Sequence, residues 1–335
     1  MVRRRLFAES PSSTSGAAMP TLAARPFALL VAALGAATGC QRQAGTPSAT
    51  PPASTAMGAD TTHVVRYSGD FRAPLGVQLW SFREQAKTDP QAMLRMVRRM
   101  GLTHVETAGF YGMTAEQMGA AIRSAGLQVM SMHVGYDDLK NNPQKVIADA
   151  KALGVKYVGT PWIPHGQGGF TEADARRAIA DFNQFGRTLR DAGLTFFYHN
   201  HGYEPVPYGD GTLLDLIIRE TDPNLVKLEM DVLWTWLPNV DPVALIRKYP
   251  GRFKLMHIKD MKPGIPRGSL AGGIPAEQKA VIGQGQVNWP ELMAAAAREG
   301  FELYYVEDES PDPVGNVPKS IAYLETLRFP AAMVP

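Results

Sequence analysis

The chain has 335 residues, 45% of them hydrophobic and 20% charged, an ordinary globular composition. Its 34 basic and 32 acidic residues give a formal net charge of +2, so there is no electrostatic case for nucleic acid as a partner. The single cysteine, Cys40, leaves no disulfide to staple the fold, and a chain of this length can rely on its core.

The first element is a targeting segment. "MPTLAARPFALLVAALGAATGC", Met19 to Cys40, carries a basic Arg25, an apolar stretch from Pro26 to Ala37, and small residues ending at Cys40. The apolar stretch is too short to span a bilayer and follows the signal-peptide pattern. "AATGC" resembles a bacterial lipoprotein processing site, with Ala37 where leucine is usual. Residues 1–40 are therefore expected to form a signal peptide whose Cys40 is lipidated and becomes the mature N-terminus. Met19 is a more ordinary start than Met1, and on that expectation residues 1–18 would be an upstream extension. The expected address is periplasmic, with the membrane touched only through the lipid anchor. Residues 41–70 are rich in Ser, Thr, Pro, Ala and Gly and read as a flexible tether.

From about residue 75, short apolar runs alternate with amphipathic stretches. The runs are "LGVQLWS" (75–81), "LTHVETA" (102–108), "LQVMSMH" (127–133), "VKYVGTP" (155–161), "LTFFYHN" (194–200), "LVKLEMD" (225–231), "FKLMHIKD" (253–260) and "ELYYVED" (302–308). Helix-like segments such as 89–101 and 114–126 lie between them. Gly101, Gly126, Gly154, Gly193 and Gly300 stand at helix-to-strand junctions, where glycine supplies a left-handed cap. Eight β-then-α units close most simply into a single-domain α/β fold, a (β/α)8 TIM barrel over residues 71–330. A doubly wound sheet is the alternative, but no Gly-rich phosphate turn follows "GVQLW".

The barrel gives the polar residues a place, because active sites lie at the C-terminal ends of the strands. His133, His199, His201 and His257 fall there, as do Glu106, Glu229, Asp231, Lys259, Asp260, Glu307 and Glu309. In "YHNH", residues two apart share a face, so His199 and His201 project together and Tyr198 and Asn200 point the other way. Trp80, Phe110, Tyr136, Trp162, Trp234 and Trp236 also stand near strand ends, where rings could stack on sugar faces; about half are expected in the core.

In this order, "GVQLWSFR", "YHNH", "EMDVLW", "MHIKD", "IGQGQVNW" and "YVEDE" resemble the xylose-isomerase-like superfamily of barrels, which includes sugar phosphate isomerases and epimerases, inosose dehydratases and endonuclease IV. The resemblance implies one divalent ion held by strands five to eight. Carried over by position, it assigns His199, Asp231, His257 and Glu307 as ligands. Many relatives read Glu-Asn-His on the fifth strand, so His199 falls where a carboxylate would be. Two imidazoles and two carboxylates suit Mn, Co, Zn, Fe or Ni better than Mg, which favours oxygen ligands.

Epimerases of this kind use paired glutamates on strands five and eight, and here only Glu307 remains. The expectation is chemistry with one carboxylate base, β-elimination or hydration next to a ketone. Glu307 would be the base, and Lys259, His133 or His201 the acid or oxyanion partner. Trp80, Glu106, Trp162, Glu229 and Trp234 are expected to bind the substrate. Glu229 could instead supply a second base, which keeps isomerisation open. Export favours an unphosphorylated sugar, keto-sugar or 3-keto-glycoside as the small-molecule partner. A lipid-anchored carbohydrate-binding protein without catalysis is the competing class, and a repair nuclease a weak third. Residues 262–286, rich in Gly and Pro, follow strand seven and are expected over the site's mouth. The sequence carries no sign of oligomeric state. If Cys40 is the lipidated N-terminus, Cys40→Ser abolishes acylation and moves the protein from the membrane to the soluble fraction; unchanged membrane attachment would refute the assignment.

Overall fold

The eight apolar runs become eight parallel strands: β1 (Leu75–Gln78), β2 (His104–Thr107), β3 (Gln128–His133), β4 (Tyr157–Thr160), β5 (Thr195–His199), β6 (Val226–Asp231), β7 (Phe253–Ile258) and β8 (Leu303–Val306). Each pairs with its sequence neighbour, and β8 returns to β1 with Gly76 opposite Tyr305, which closes the ring. The computed structural model describes residues 66–331, so the expected signal peptide, Cys40 and most of the tether lie outside the described residues. Among the described residues no helix is long and apolar enough to cross a membrane.

A helix follows every strand: α1 (Pro90–Arg99), α2 (Ala115–Ser124), α3 (Pro143–Leu153), α4 (Glu172–Asp191), α5 (Leu213–Glu220), α6 (Pro242–Lys248), α7 (Trp289–Arg298) and α8 (Pro313–Glu325). Their starts are written locally. Thr114 with Gln117, Thr171 with Asp174 and Thr212 with Asp215 form reciprocal capping boxes on α2, α4 and α5. Gly154 ends α3 at φ 83°, the left-handed value that a side chain would resist.

The end of the expected tether is ordered. Ser68 and Gly69 donate to the Glu325 carbonyl at 2.8 and 2.9 Å, Asp70 accepts from Phe329 N at 2.8 Å, and Phe71 is buried against Tyr304. The loose composition of 41–70 hid this docking, which depends on a partner about 255 residues away in sequence.

Alternation along the strands stacks the interior in layers. Phe197, Leu255 and Tyr305 form an apolar cluster with Tyr157 and Leu303, and the next inward positions are His199, His257 and Glu307. Two strands give up their side chains to make room. A Cβ on Gly76 would lie 2.7 Å from the Tyr305 ring, and one on Gly159 would lie 2.5 Å from the Phe197 ring. The apolar layer is thus a fitted floor beneath the polar one. Gly159→Ala should cost about 1–3 kcal/mol through overpacking, read as a lower urea midpoint. An unchanged midpoint would show that the floor can yield.

Candidate active site

Above that floor the strand ends bring a chain of imidazoles and carboxylates together. His257, at the end of β7, has Nδ1 2.9 Å from Glu307 Oε2 and Nε2 2.7 Å from Glu106 Oε1. Its Nε2 is also 3.2 Å from Glu229 Oε2. Glu229 Oε2 in turn lies 2.8 Å from His133 Nε2 and 2.9 Å from His199 Nδ1. Lys259 Nζ reaches Glu307 Oε2 at 2.8 Å, Glu309 Oε2 at 3.0 Å and Asp231 Oδ2 at 3.2 Å.

Asp231 closes β6 and caps the short helix Val232–Trp236, accepting from Trp234 N at 3.0 Å through Oδ1. Its Oδ2 is buried without a hydrogen bond, held by the ion pair with Lys259. Asn200, on the opposite face of β5 from His199, accepts from Asp231 N at 3.2 Å and so locks the end of β6 to β5. Tyr198 likewise points away, against Phe182.

The charges follow from this crowding. Burial alone would depress His257, but Glu229, with hydrogen bonding to Glu106, Glu229 and Glu307, holds its imidazole well above the ordinary value. Burial opposes ionisation of Glu307, yet the Lys259 ammonium and then His257 hold the carboxyl well below the usual range. Burial and the charge of His257 push His199 down; burial and His199 push His201 further down. His199 and His201 are therefore the neutral imidazoles of the site, with lone pairs to give.

Two donor groups could hold a metal ion. Asp231, His257 and Glu307 offer atoms within 4.8 Å of one another, and so do His133, His199, Glu229 and His257. The four ligands implied by the resemblance are thus divided: His199 joins the second group, with Nε2 3.7 Å from Asp231 Oδ2.

A cavity of about 760 Å³ opens onto the cluster. His133, His199, His201, His257, Lys259, Glu307 and Glu309 reach its wall, with Trp80, Trp162 and Trp234 around them. His201 lies just beyond β5, its ring centroid 5.3 Å from Trp162 and 5.8 Å from Trp234, and its Nδ1 is buried without a partner. Glu106 and Glu229, expected against the substrate, are 0% exposed and sit behind the histidines instead. Trp236 also leaves the site, because residues 232–236 form a helical turn and its ring packs 3.6 Å from the Arg267 guanidinium. Gly272, from the 262–286 excursion, reaches the cavity beside Trp162, where a Cβ would lie 2.9 Å from the ring. That segment does lie against the mouth.

Residues 94–327 match the family described as xylose isomerase-like TIM barrel. The chain belongs to that family. An inosose dehydratase of Clostridium botulinum (strain Alaska E43 / Type E3) is 26% identical over 150 residues, which is 43% of this chain and 50% of that protein. The chain thus matches about half the length of that curated relative. A sugar phosphate isomerase/epimerase from Parabacteroides distasonis ATCC 8503 superposes with a TM-score of 0.62 at 26% identity, over 79% of this chain and 96% of that one. An IOLI protein with a bound zinc atom shares the fold alone, with a TM-score of 0.56 at 14% identity over 75% of this chain and 95% of that one.

For a xylose isomerase-like barrel, the layer behind the histidines was the part least visible in the sequence. Gln78 donates to Glu106 Oε1 at 2.7 Å, and Ser131 donates to Glu106 Oε2 at 2.5 Å. Lys279 bonds Glu309 Oε2 at 2.8 Å. Glu204 takes the His201 N–H at 2.7 Å and the Tyr198 hydroxyl, and burial raises its carboxyl to about 8. Because this pKa is raised on folding, the protonated form stabilises the native state below about pH 4.5, and that contribution is lost as pH rises toward 8. Glu204→Gln, which cannot ionise, should remove this fall in urea-unfolding stability. A wild-type profile matched by the variant across that window would refute the assignment.

Proposed function

We propose that this chain is a divalent-metal-dependent enzyme that removes a proton next to the carbonyl of an unphosphorylated keto-sugar or 3-keto-glycoside and eliminates the β-oxygen substituent. The observation that carries it is the pairing of one base, Glu307, with one ammonium, Lys259, at 2.8 Å on the wall of the same cavity. The curated relatives named inosose dehydratase support elimination, and the Parabacteroides distasonis structure supports sugar chemistry more broadly. The expected export belongs to the same proposal.

The residues fit a metal. Asp231 Oδ2 is buried without a hydrogen bond, with the Lys259 ammonium at 3.2 Å as ion partner, and His199 faces it at 3.7 Å. Asp231, His257 and Glu307, with His199, would hold the ion, and the mixed N/O set favours Mn, Co, Zn, Fe or Ni over Mg. When bound, it would supply Lewis-acid polarisation of the carbonyl beside the C–H bond.

Glu307 takes the proton; both of its hydrogen-bonding contacts run through Oε2. The C–H electrons become the new C=C bond as the β C–O bond breaks. The departing oxygen receives a proton, and Lys259 is the nearest charged donor to the base. His201, pinned by Glu204 and flanked by Trp162 and Trp234, orients the sugar. The absence of a carboxylate at His199 leaves no second base on β5 for epimerisation, while Glu229 is engaged by histidines and lies off the cavity wall.

Metal analysis of the purified protein should find one ion per chain, lost in Asp231→Asn. A chain that binds none would instead be a carbohydrate binder. With keto-sugars and 3-keto-glycosides as substrates, Glu307→Gln should lower turnover about 10²–10⁴-fold, even with added metal. His199→Glu restores the carboxylate of the epimerases; retained turnover to an epimer or isomer would overturn elimination.

A further inference from the structure

The cavity is larger than the cluster at its floor. Pockets of about 300–1,000 Å³ take drug-sized ligands, and 760 Å³ lies in the upper part of that range. A single sugar ring against Glu307 and His201 leaves much of it unfilled. In the ring of eight, β2 and β3 stand across from β6 and β7, so the segments that follow β2 and β3, as far as the first turn of α3, form the wall facing the cluster. That wall is built from Phe110, Val134, Tyr136 and Val146. Tyr136 offers only its ring, because its hydroxyl is bonded to Asp181 at 2.6 Å.

Phe110 is held in place. The next residue, Tyr111, has φ 49°, a left-handed value that a bulky residue adopts only under constraint, and its hydroxyl donates to Leu79 O at 3.1 Å. Gly109 and Gly112, at φ 117° and 81°, complete the turn. The β2 loop thus presents one aromatic ring rigidly, which lowers the entropy of using it for binding.

The charge on this wall excludes an anion. Its one ammonium, Lys145, is 2.5 Å from Asp149, and Asp138 adds a further carboxylate. Among the described residues no arginine lines the cavity, and its other amine, Lys259, is shared by three carboxylates. A phosphoryl group would find no unpaired cation and no guanidinium fork.

We propose that this wall is an aglycone subsite, which takes an uncharged, flat apolar group carried by the sugar and rejects phosphorylated sugars. The proposal rests on the reading of the site as one for keto-sugars or keto-glycosides, and it specifies which glycosides.

The test uses inert ligands, whose binding needs no turnover: methyl β-glucoside, phenyl β-glucoside and glucose 6-phosphate, titrated calorimetrically into the metal-loaded full chain. Phenyl glucoside should bind at least about tenfold more tightly than methyl glucoside, from ring stacking plus buried area. Phe110→Ala and Val146→Asp should each shrink that ratio, and glucose 6-phosphate should bind no better than methyl glucoside. Equal affinities for the two glucosides, undetectable binding of the phenyl glucoside, or a ratio unchanged in both variants would overturn the subsite, as would preference for the phosphate. If the ratio holds while no keto-glycoside is turned over, the subsite stands and the elimination chemistry falls.

Discussion

His257 spans two carboxylate groups with its two ring nitrogens, Glu307 on the Nδ1 side and Glu106 with Glu229 on the Nε2 side. An imidazole in that position can give the lone pair of one nitrogen only if the other holds its proton against an acceptor. Glu106 and Glu229 are that acceptor, and Gln78 and Ser131 fix Glu106 from behind. The Nε2 proton is therefore held by Glu106 and Glu229, which lie off the cavity wall, with Gln78 and Ser131 bracing Glu106, an arrangement typical of metal-binding histidines.

Such a cluster is costly unless every charge is paired, because burial penalises each one. The barrel meets this by geometry. Tyr305 and Phe197 fill the layer below and keep water from the underside, while Gly76 and Gly159 give their rings room. Lys259 then faces Asp231, Glu307 and Glu309, and Lys279 shares Glu309. Lys279 arrives from the loop after β7, folded back by the two-residue pairing of Asp260–Met261 with Lys279–Ala280. The excursion that reaches the mouth through Gly272 is thus tied at its base to the charge network.

What the sequence disclosed follows from what is local. Strand positions, helix caps and the inward parity of His199, Asp231, His257 and Glu307 all depend on residues a few places apart. Parity assigns a face but not a depth, which is why Glu106 and Glu229 looked like substrate ligands and proved to lie behind the histidines. Trp234 and Trp236 share strand parity, but on a helical turn two residues diverge by about 200°, and only Trp234 reaches the cavity. Gln78, Ser131, Glu204 and Lys279 acquire meaning only from partners that folding brings to them. No local pattern marks a residue whose role is to bond another residue's carboxylate.

The imidazole at His199 also reaches beyond its own position. A carboxylate there would face Glu229 and Asp231, adding a third buried negative charge to one strand junction. The imidazole instead bonds Glu229 at 2.9 Å and leaves Asp231 Oδ2 to its ion pair with Lys259 at 3.2 Å. Burial opposes ionisation of Glu229, but the charge of His257 and then hydrogen bonds from His133, His199 and His257 together hold its carboxyl well below the ordinary range. His199 thus supports the buried Glu229 by a hydrogen bond where a carboxylate would repel it, alongside His133 and His257.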